Sequence, residues 1–390
     1  MVLAYTGHPR ALAGNPESER DSEHVAKDIR FTFQPIDSPA ALESGWRELE
    51  ARSGRSFFLS WAWIGTWLAT LPAEFRPFVI SAREGGRVAG LAVAIANTVR
   101  QRLRTKVPGL HLNSTGDPRW DCIAIEHNGF LCDAREEGII LDGFFDWFAR
   151  ETADMADELR LPGVTLPLDT EMLYRRGFLH STNTQPGFAV NLDFVAKDGD
   201  IGAVLSGNAR QQLRRTERDY ERQGEIEISA ARDAGEALGY FRALKSLHVA
   251  SWERRGRRHS FSEPYFQMFH EHLIAREFAK GAVQLLRVRA GGRDLGYLYN
   301  FRKHGRVSAY QSGFDDADRK RRPGVLSHSL AIGWNAKNGE RVYDFLAGEN
   351  QMKSTFATDR YVLTWQVVRR PLLKYRLESL ARHVVQRVFG

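Results

Sequence analysis

Apolar positions repeat with two periods along this chain, and the two alternate from end to end. A period near two marks strands, and a period near 3.6 marks helices. The pattern predicts a strand over 29–36, helices over 39–52 and 61–71, and a strand pair over 78–82 and 88–96. A strand at 122–125 and an amphipathic helix at 134–150 follow. Residues 160–195 are broken by Pro162, Pro167, Pro186 and several glycines, and a domain junction is expected there. The second half repeats the plan. Helices are predicted over 208–222, 234–254, 263–279 and 325–337. Strands are predicted over 225–230, 283–290, 293–301, 306–311, 341–345 and 361–368, before a basic terminal helix. Such alternation predicts a mixed α/β architecture.

One segment occurs twice. Arg83-Glu-Gly-Gly-Arg87-Val-Ala-Gly90 has the same Arg-x-Gly-Gly-Arg-x-x-Gly frame as Arg289-Ala-Gly-Gly-Arg293-Asp-Leu-Gly296, at an offset of 206 residues. Each copy lies between strand-like runs, as a hairpin turn would. An offset near half the chain fits two copies of one domain and is too long for a solenoid.

Charge sharpens the division. The chain of 390 residues carries a net +7, but residues 1–195 hold 20 basic and 26 acidic side chains, and residues 196–390 hold 35 and 22. The second half, at +13, should therefore attract an anion. Two cysteines, Cys122 and Cys132, can build neither a disulfide framework nor a zinc site from cysteine alone, which fits a reducing, cytoplasmic setting. The uncharged stretch 56–73 carries five aromatic residues among Ser, Thr and Gly, and reads as a core helix rather than a membrane span. Residues 1–28 are polar, lack a signal-peptide apolar region, and read as a disordered tail.

Candidate chemistry concentrates between Tyr310 and Phe356. A strand leads into an acidic loop, then the basic run Arg319, Lys320, Arg321, Arg322, then Pro323-Gly324 and a helix. This helix start beside cations reads either as an anion site, with Gly324, Val325 and Leu326 as N–H donors and Ser327 adding a hydroxyl, or as a solvated basic turn before an ordinary helix. Asp344 sits on a short apolar strand, where a carboxylate needs a partner. It reads either as a base or amine anchor, or as a salt bridge to Lys353 or Arg341. Glu349 lies in the next loop. His248 and Trp252 share one helix face and read as a pocket wall or as core. The histidines show no metal-ligand spacing. No Gly-x-Ser-x-Gly elbow, dinucleotide glycine motif or Walker loop is present.

These residues carry a resemblance. Arg321-x-x-Gly324 resembles the start of the pyrophosphate loop of the GNAT N-acetyltransferases, with Leu326 where that loop has Gly or Ala. The wider frame is similar to the CelD/BcsL-type branch of that superfamily. It comprises Pro323-Gly324, Gly339, Tyr343-Asp344-Phe345-Leu346, Gly348 and Lys353. Upstream, Phe58-Leu-Ser60, Trp63, Trp67, the helix of His248 and Trp252, and the Gly296 hairpin fit it too. The likeness spans about residues 30–370 and extends to the related Fem-type peptidyl transferases.

The resemblance implies tandem GNAT-like domains, each a mixed twisted sheet flanked by helices, over 29–185 and 186–390. The first copy lacks the Arg-x-x-Gly loop around 113–122 and would be degenerate, shaping the acceptor site. The second would bind acetyl-CoA or another acyl-CoA through Ser312, Arg319, Arg321, Arg322, Gly324, Val325, Leu326 and Ser327. Acyl transfer to an amine or hydroxyl would follow, with an amino sugar or exopolysaccharide precursor as acceptor and without a metal. Backbone N–H groups near 309–312 would polarise the thioester. Asp344, Glu349 and Tyr343 are the implied catalytic residues, and His248, Trp252 and Lys353 the implied acceptor contacts. The branch has Tyr where this chain has Met352, so Tyr343 or Tyr310 would have to supply any general acid. Two alternatives stay open: a Fem-type transferase using charged tRNA, and an inactive scaffold that binds a partner.

Overall fold

The computed structural model describes residues 29–54, 56–100, 106–165 and 168–375. The expected tail at 1–28 and the terminal basic helix beyond 375 lie outside the described residues. The chain begins β1 (Ile29–Pro35), α1 (Pro39–Ser53), α2 (Trp61–Thr70), β2 (Pro77–Glu84), β3 (Arg87–Arg100) and β4 (Lys106–Leu112). It continues β5 (Leu131–Cys132), α3 (Glu137–Glu151), β6 (Glu158–Val164), α4 (Thr170–Arg175) and β7 (Leu179–Asn191). Then come α5 (Gly207–Glu221), β8 (Ile226–Ala230), α6 (Ala234–Arg254), α7 (Pro264–Glu277), β9 (Val283–Ala290), β10 (Arg293–Lys303) and β11 (Arg306–Phe314). The last elements are α8 (Pro323–Lys337), β12 (Val342–Ala347), α9 (Gln351–Phe356) and β13 (Asp359–Arg369).

All the strands join one mixed sheet, in the order β1-β2-β3-β4-β6-β13-β7-β12-β11-β10-β9-β8, with β5 beside β3. Read from its two ends, this order gives the same series twice. β1 to β4 and β6 match β8 to β12. Only one neighbouring pair in each half is parallel, β4 with β6 and β11 with β12. The tandem plan is therefore present, with its last strands exchanged. β7 follows the first half in sequence but pairs with β12, and β13 follows the second half but pairs with β6. β7 runs across the expected junction at 185/186 and pairs with β13 over its whole length.

The repeated glycine frame occupies equivalent turns. Gly85 and Gly86 join β2 to β3, and Gly291 and Gly292 join β9 to β10. All four have positive φ, from 52° to 92°, as a tight two-residue hairpin turn requires. In each turn the leading arginine reaches across to the second glycine's carbonyl, Arg83 at 3.1 Å and Arg289 at 2.5 Å.

The stretch 56–73 is core, as its aromatics predict. Ser60 caps α2 by accepting from the Trp63 N–H, and Trp61, Trp63 and Trp67 are buried. These rings bind the halves together. Phe57 stacks on Phe301 at 4.3 Å, and Trp63 meets Phe269 edge-on at 4.8 Å. Burial of large rings gives this seam most of its cohesion, with about 0.5–1.5 kcal/mol more for each favourable ring pair.

One expectation is corrected. Residues 122–125 are not a strand: Asp121–Ile123 form a single 3-10 turn, and Ala124 takes φ 32° and ψ 100°. Residues 160–195, where the junction is expected, hold the end of β6, α4 and β7. Gly187 serves a packing need there, because a Cβ at that position would lie 2.2 Å from the Tyr361 ring.

Candidate active site

β11 and β12 pair only over Arg306–Ser308 and Val342–Asp344, after which they part. β12 also bulges against β7 between Asp344 and Ala347, and Leu346 adopts φ 61°. Into this split opens a cavity of about 780 Å³. β11 contributes residues 309–314, α6 contributes His248 and Trp252, and the start of α8 contributes Pro323, Gly324 and Val325. Its far wall comes from the first half, as Cys122, Ala124 and Glu126.

β11 is bulged at the cavity. Asn300 pairs with Ala309 and Tyr299 with Gln311, so Tyr310 is left outside the ladder. The Tyr310 hydroxyl donates to the Ile123 carbonyl and ties the first-half segment to β11. The backbone of β11 lies hard against α6, since a Cβ on Gly313 would come within 2.3 Å of the Leu244 carbonyl oxygen.

At one end of the cavity Arg322, in a left-handed conformation, precedes α8 without a side-chain cap. Arg319 and Arg322 line this end. The expected anion turn is present in part. The Val325 and Leu326 N–H groups are taken by the Arg322 carbonyl, at 3.0 and 3.4 Å. Arg321 turns to Asp318 at 2.6 Å, sharing that carboxylate with Arg293 at 2.8 Å. Leu326 and Ser327 are buried on the inner side of α8, away from the cavity lining. Gly324 lies close to the Phe314 ring, 3.0 Å from where a Cβ would stand.

Beside the end of β12 the cavity carries a carboxylate that the sequence reading missed. Glu126 lines the cavity, and its Oε2 accepts from the Ala347 N–H at 2.8 Å. Burial raises its pKa, against the lowering effect of that hydrogen bond and of the charges on His127 and Lys353. Lys353 donates to the Ala347 carbonyl at 2.7 Å and fixes the end of β12. Burial lowers the Lys353 pKa. On the α6 side, His248 Nδ1 donates to the Ser312 carbonyl at 2.9 Å, which leaves Nε2 as the basic nitrogen. Burial lowers the His248 pKa and favours the neutral ring, and its Nε2 has no hydrogen-bond partner among the described residues. The ring stacks on Trp252 at 5.4 Å.

Three expected catalytic residues lie away from the lining. Tyr343 is buried, and its hydroxyl pairs with His328 Nδ1 at 3.1 Å. Glu349 is exposed in the loop after β12. Asp344 is fully buried and fully engaged. Its Oδ2 meets His127 at 3.0 Å and Arg306 at 2.9 Å, and its Oδ1 accepts from Tyr361 at 2.7 Å and the Leu346 N–H at 2.9 Å. Burial pushes the carboxyl up, but His127, Arg306 and Tyr361 outweigh it and hold the group below the ordinary carboxylate range. Its salt-bridge partners are therefore His127 and Arg306, not Lys353 or Arg341. Asp344 thus links the first half, through His127, to the second, through Arg306. Ser312, Arg319, Arg322, Gly324, Val325, His248, Trp252 and Lys353 do meet around one cavity.

A nucleophilic cysteine is disfavoured. Cys122 lines the cavity, but burial pushes its thiol up to about 12. Among the described residues no cluster of His, Cys, Asp or Glu could hold a metal ion, and no helix is long and apolar enough to cross a membrane.

Residues 207–354 match the acetyltransferase (GNAT) domain family. The matched segment runs from α5 into α9 and contains the split between β11 and β12. No curated protein sequence matches the chain. Among solved structures, the chain resembles FemX with TM-score 0.54 and 13% identity, over 88% of this chain and 98% of that one. It also resembles the C-terminal domain of a putative lysylphosphatidylglycerol synthetase from Agrobacterium fabrum, with TM-score 0.51 and 10% identity, over 89% and 97%. At these identities the likeness is one of fold. The CelD/BcsL branch is not singled out by these matches.

Proposed function

We propose that the protein transfers an acyl group from acyl-CoA to an amine, with residues 186–390 binding the donor. The GNAT match over the split strands supports the reaction class. The observation that carries the site is the cavity itself, which is lined both by arginines beside a helix start and by a buried carboxylate. Arg319, Arg322 and the start of α8 hold the donor's phosphates. The pantetheine arm lies along β11, with the thioester near the bulge at Tyr310. Backbone N–H groups of that bulge polarise the carbonyl.

Glu126 is the general base. Its raised pKa moves it toward neutrality, where a base both stays deprotonated and takes a proton well. The acceptor nitrogen attacks the thioester carbon, the C–N bond forms, and Glu126 Oε1 or Oε2 receives the amine proton. The C–S bond breaks, and the thiolate is protonated by solvent. The unpaired Nε2 of His248 accepts a hydrogen bond from the acceptor. An amino sugar or polysaccharide precursor is the acceptor class that the resemblance suggests.

Calorimetric titration with acetyl-CoA, repeated on the Arg322→Ala/Gly324→Asp variant, tests the donor. Saturable binding that the variant loses is expected. A folded protein that binds no acyl-CoA would overturn the reading and favour the tRNA-dependent alternative.

A further inference from the structure

The segment Asp121–Glu126 is one chain thick and separates two cavities. Cys122, Ala124 and Glu126 face the cavity described above, whereas Asp121, Ile123, Ala124 and Ile125 face a second cavity of about 390 Å³. This second cavity belongs to the first half. It begins at the last β4–β6 pair, His111 with Arg160, which corresponds to the place where β11 and β12 part. It is an open cleft with mainly apolar walls and a few polar groups, and a cleft of this size is a candidate ligand site.

The lining defines the occupant's chemistry. Three indoles, Trp63, Trp67 and Trp365, form its apolar walls. Of its ionisable groups, His111 is held near pKa 3 by burial and by the Arg160 charge, and is neutral. Asp121 is consumed internally, by the Thr115 N–H at 2.7 Å, the Thr115 hydroxyl at 2.8 Å and the Gly116 N–H at 2.7 Å. Arg160 uses only Nε, on Glu158 at 2.5 Å, and its other guanidinium nitrogens have no partner among the described residues. Glu158 is itself shared with Arg369 at 2.8 Å. The accessible charge is therefore a cation beside flat aromatic surface.

We propose that this cavity binds a compact aromatic carboxylate, with its ring among the indoles and its carboxylate on Arg160. It is not a second acyl-CoA site, because no basic turn or helix start lines it and its volume is about half that of the first. Its occupant presses on the same strap that carries Glu126. The strap is pinned on its other side by Tyr310 and Ala347.

Calorimetric titration of the full chain with naphthoate tests the proposal. Saturable one-to-one binding is expected. Arg160→Gln, Trp365→Ala and replacement of the probe by naphthamide should each weaken it about tenfold or more, as loss of a charge-assisted hydrogen bond or an aromatic wall does. Saturating acetyl-CoA and the Gly324→Asp substitution should leave it unchanged. Binding weaker than about 1 mM by the folded wild-type protein would overturn the proposal. So would equal affinity in the two variants, or displacement of naphthoate by acetyl-CoA.

Discussion

The two halves share one strand plan and differ in what joins the fourth strand to the following helix. In the second half, residues 315–322 make a short basic turn that delivers Arg322 and Gly324 to a helix start. In the first half, residues 113–127 form an excursion that leaves its own sheet and enters the other half's cleft, before β5 returns the chain to β3. It brings Cys122, Ala124 and Glu126 to the first cavity, and His127 to Asp344. A duplicated frame thus supports two roles, because the sheet fixes where a cleft opens and the connection decides what fills it. The first half gives up an anion turn and supplies a wall and a carboxylate instead.

The largest expected effect comes from removing that carboxylate. Glu126→Gln should lower kcat for acyl transfer by about 10²–10⁴, the usual contribution of a positioned base, with little change in acyl-CoA affinity. Steady-state kinetics with parallel titration would separate the two. An unchanged kcat would make the excursion a wall only. The pH profile sharpens this. Activity of the wild type should rise with pH through a value above the ordinary carboxylate range, and this limb should vanish in the variant.

Breaking the joint between the halves comes next. Asp344→Ala leaves Arg306 and His127 without their shared carboxylate and should cost about 3 kcal/mol in urea unfolding, because part of the Arg306 side chain is open to water. The folded carboxyl titrates below its unfolded value, so its stabilisation is complete above about pH 4. It is lost as pH falls through the lower folded value, and the acid limb of stability should flatten in the variant.

A smaller effect tests the basic turn. Arg322→Ala should weaken acyl-CoA binding by about tenfold, the loss of one charge-assisted contact, whereas Arg321→Ala should change it little, since Arg321 is held on Asp318. Equal losses would show that the phosphates reach past Arg322.

The smallest effect concerns stability. Glu126 titrates above its unfolded value, so whatever stability it contributes is present below about pH 4.3 and is lost as pH rises through the folded value. Glu126→Gln should therefore melt slightly higher than the wild type near neutral pH, by about 1 kcal/mol, despite losing activity. A lower melting temperature would mean that the charge is stabilised by groups other than those described.

Much of this molecule was legible in its sequence because the signals are local. The helix read over 234–254 is α6 residue for residue, and the Gly-Gly frames fall on equivalent hairpins because glycine adopts the two successive positive φ angles of such a turn without steric cost. The basic turn before α8 and the core role of the 56–73 aromatics follow from composition within a few residues. The site was less legible. Asp344 is legible as a buried carboxylate needing partners, but its partners are not: His127 comes from a loop of the first half, 217 residues away, and Tyr361 from β13, which does not pair with β12. Glu126 gave no local signal. It lies just after the segment 122–125 read as a strand, and it becomes a candidate base only because Ala347 and Lys353 meet it across the cleft.

The sequence alone determined the elements, the duplicated frame, the uneven charge and the anion-seeking turn, since each depends on backbone preference or composition over a short window. Tertiary structure alone decided that β7 and β13 exchange places, that the first half's excursion enters the second half's cleft, and which carboxylate lines that cleft. Burial and charge partnership are properties of neighbours in space, and strands paired from opposite ends of a chain leave no trace in local periodicity.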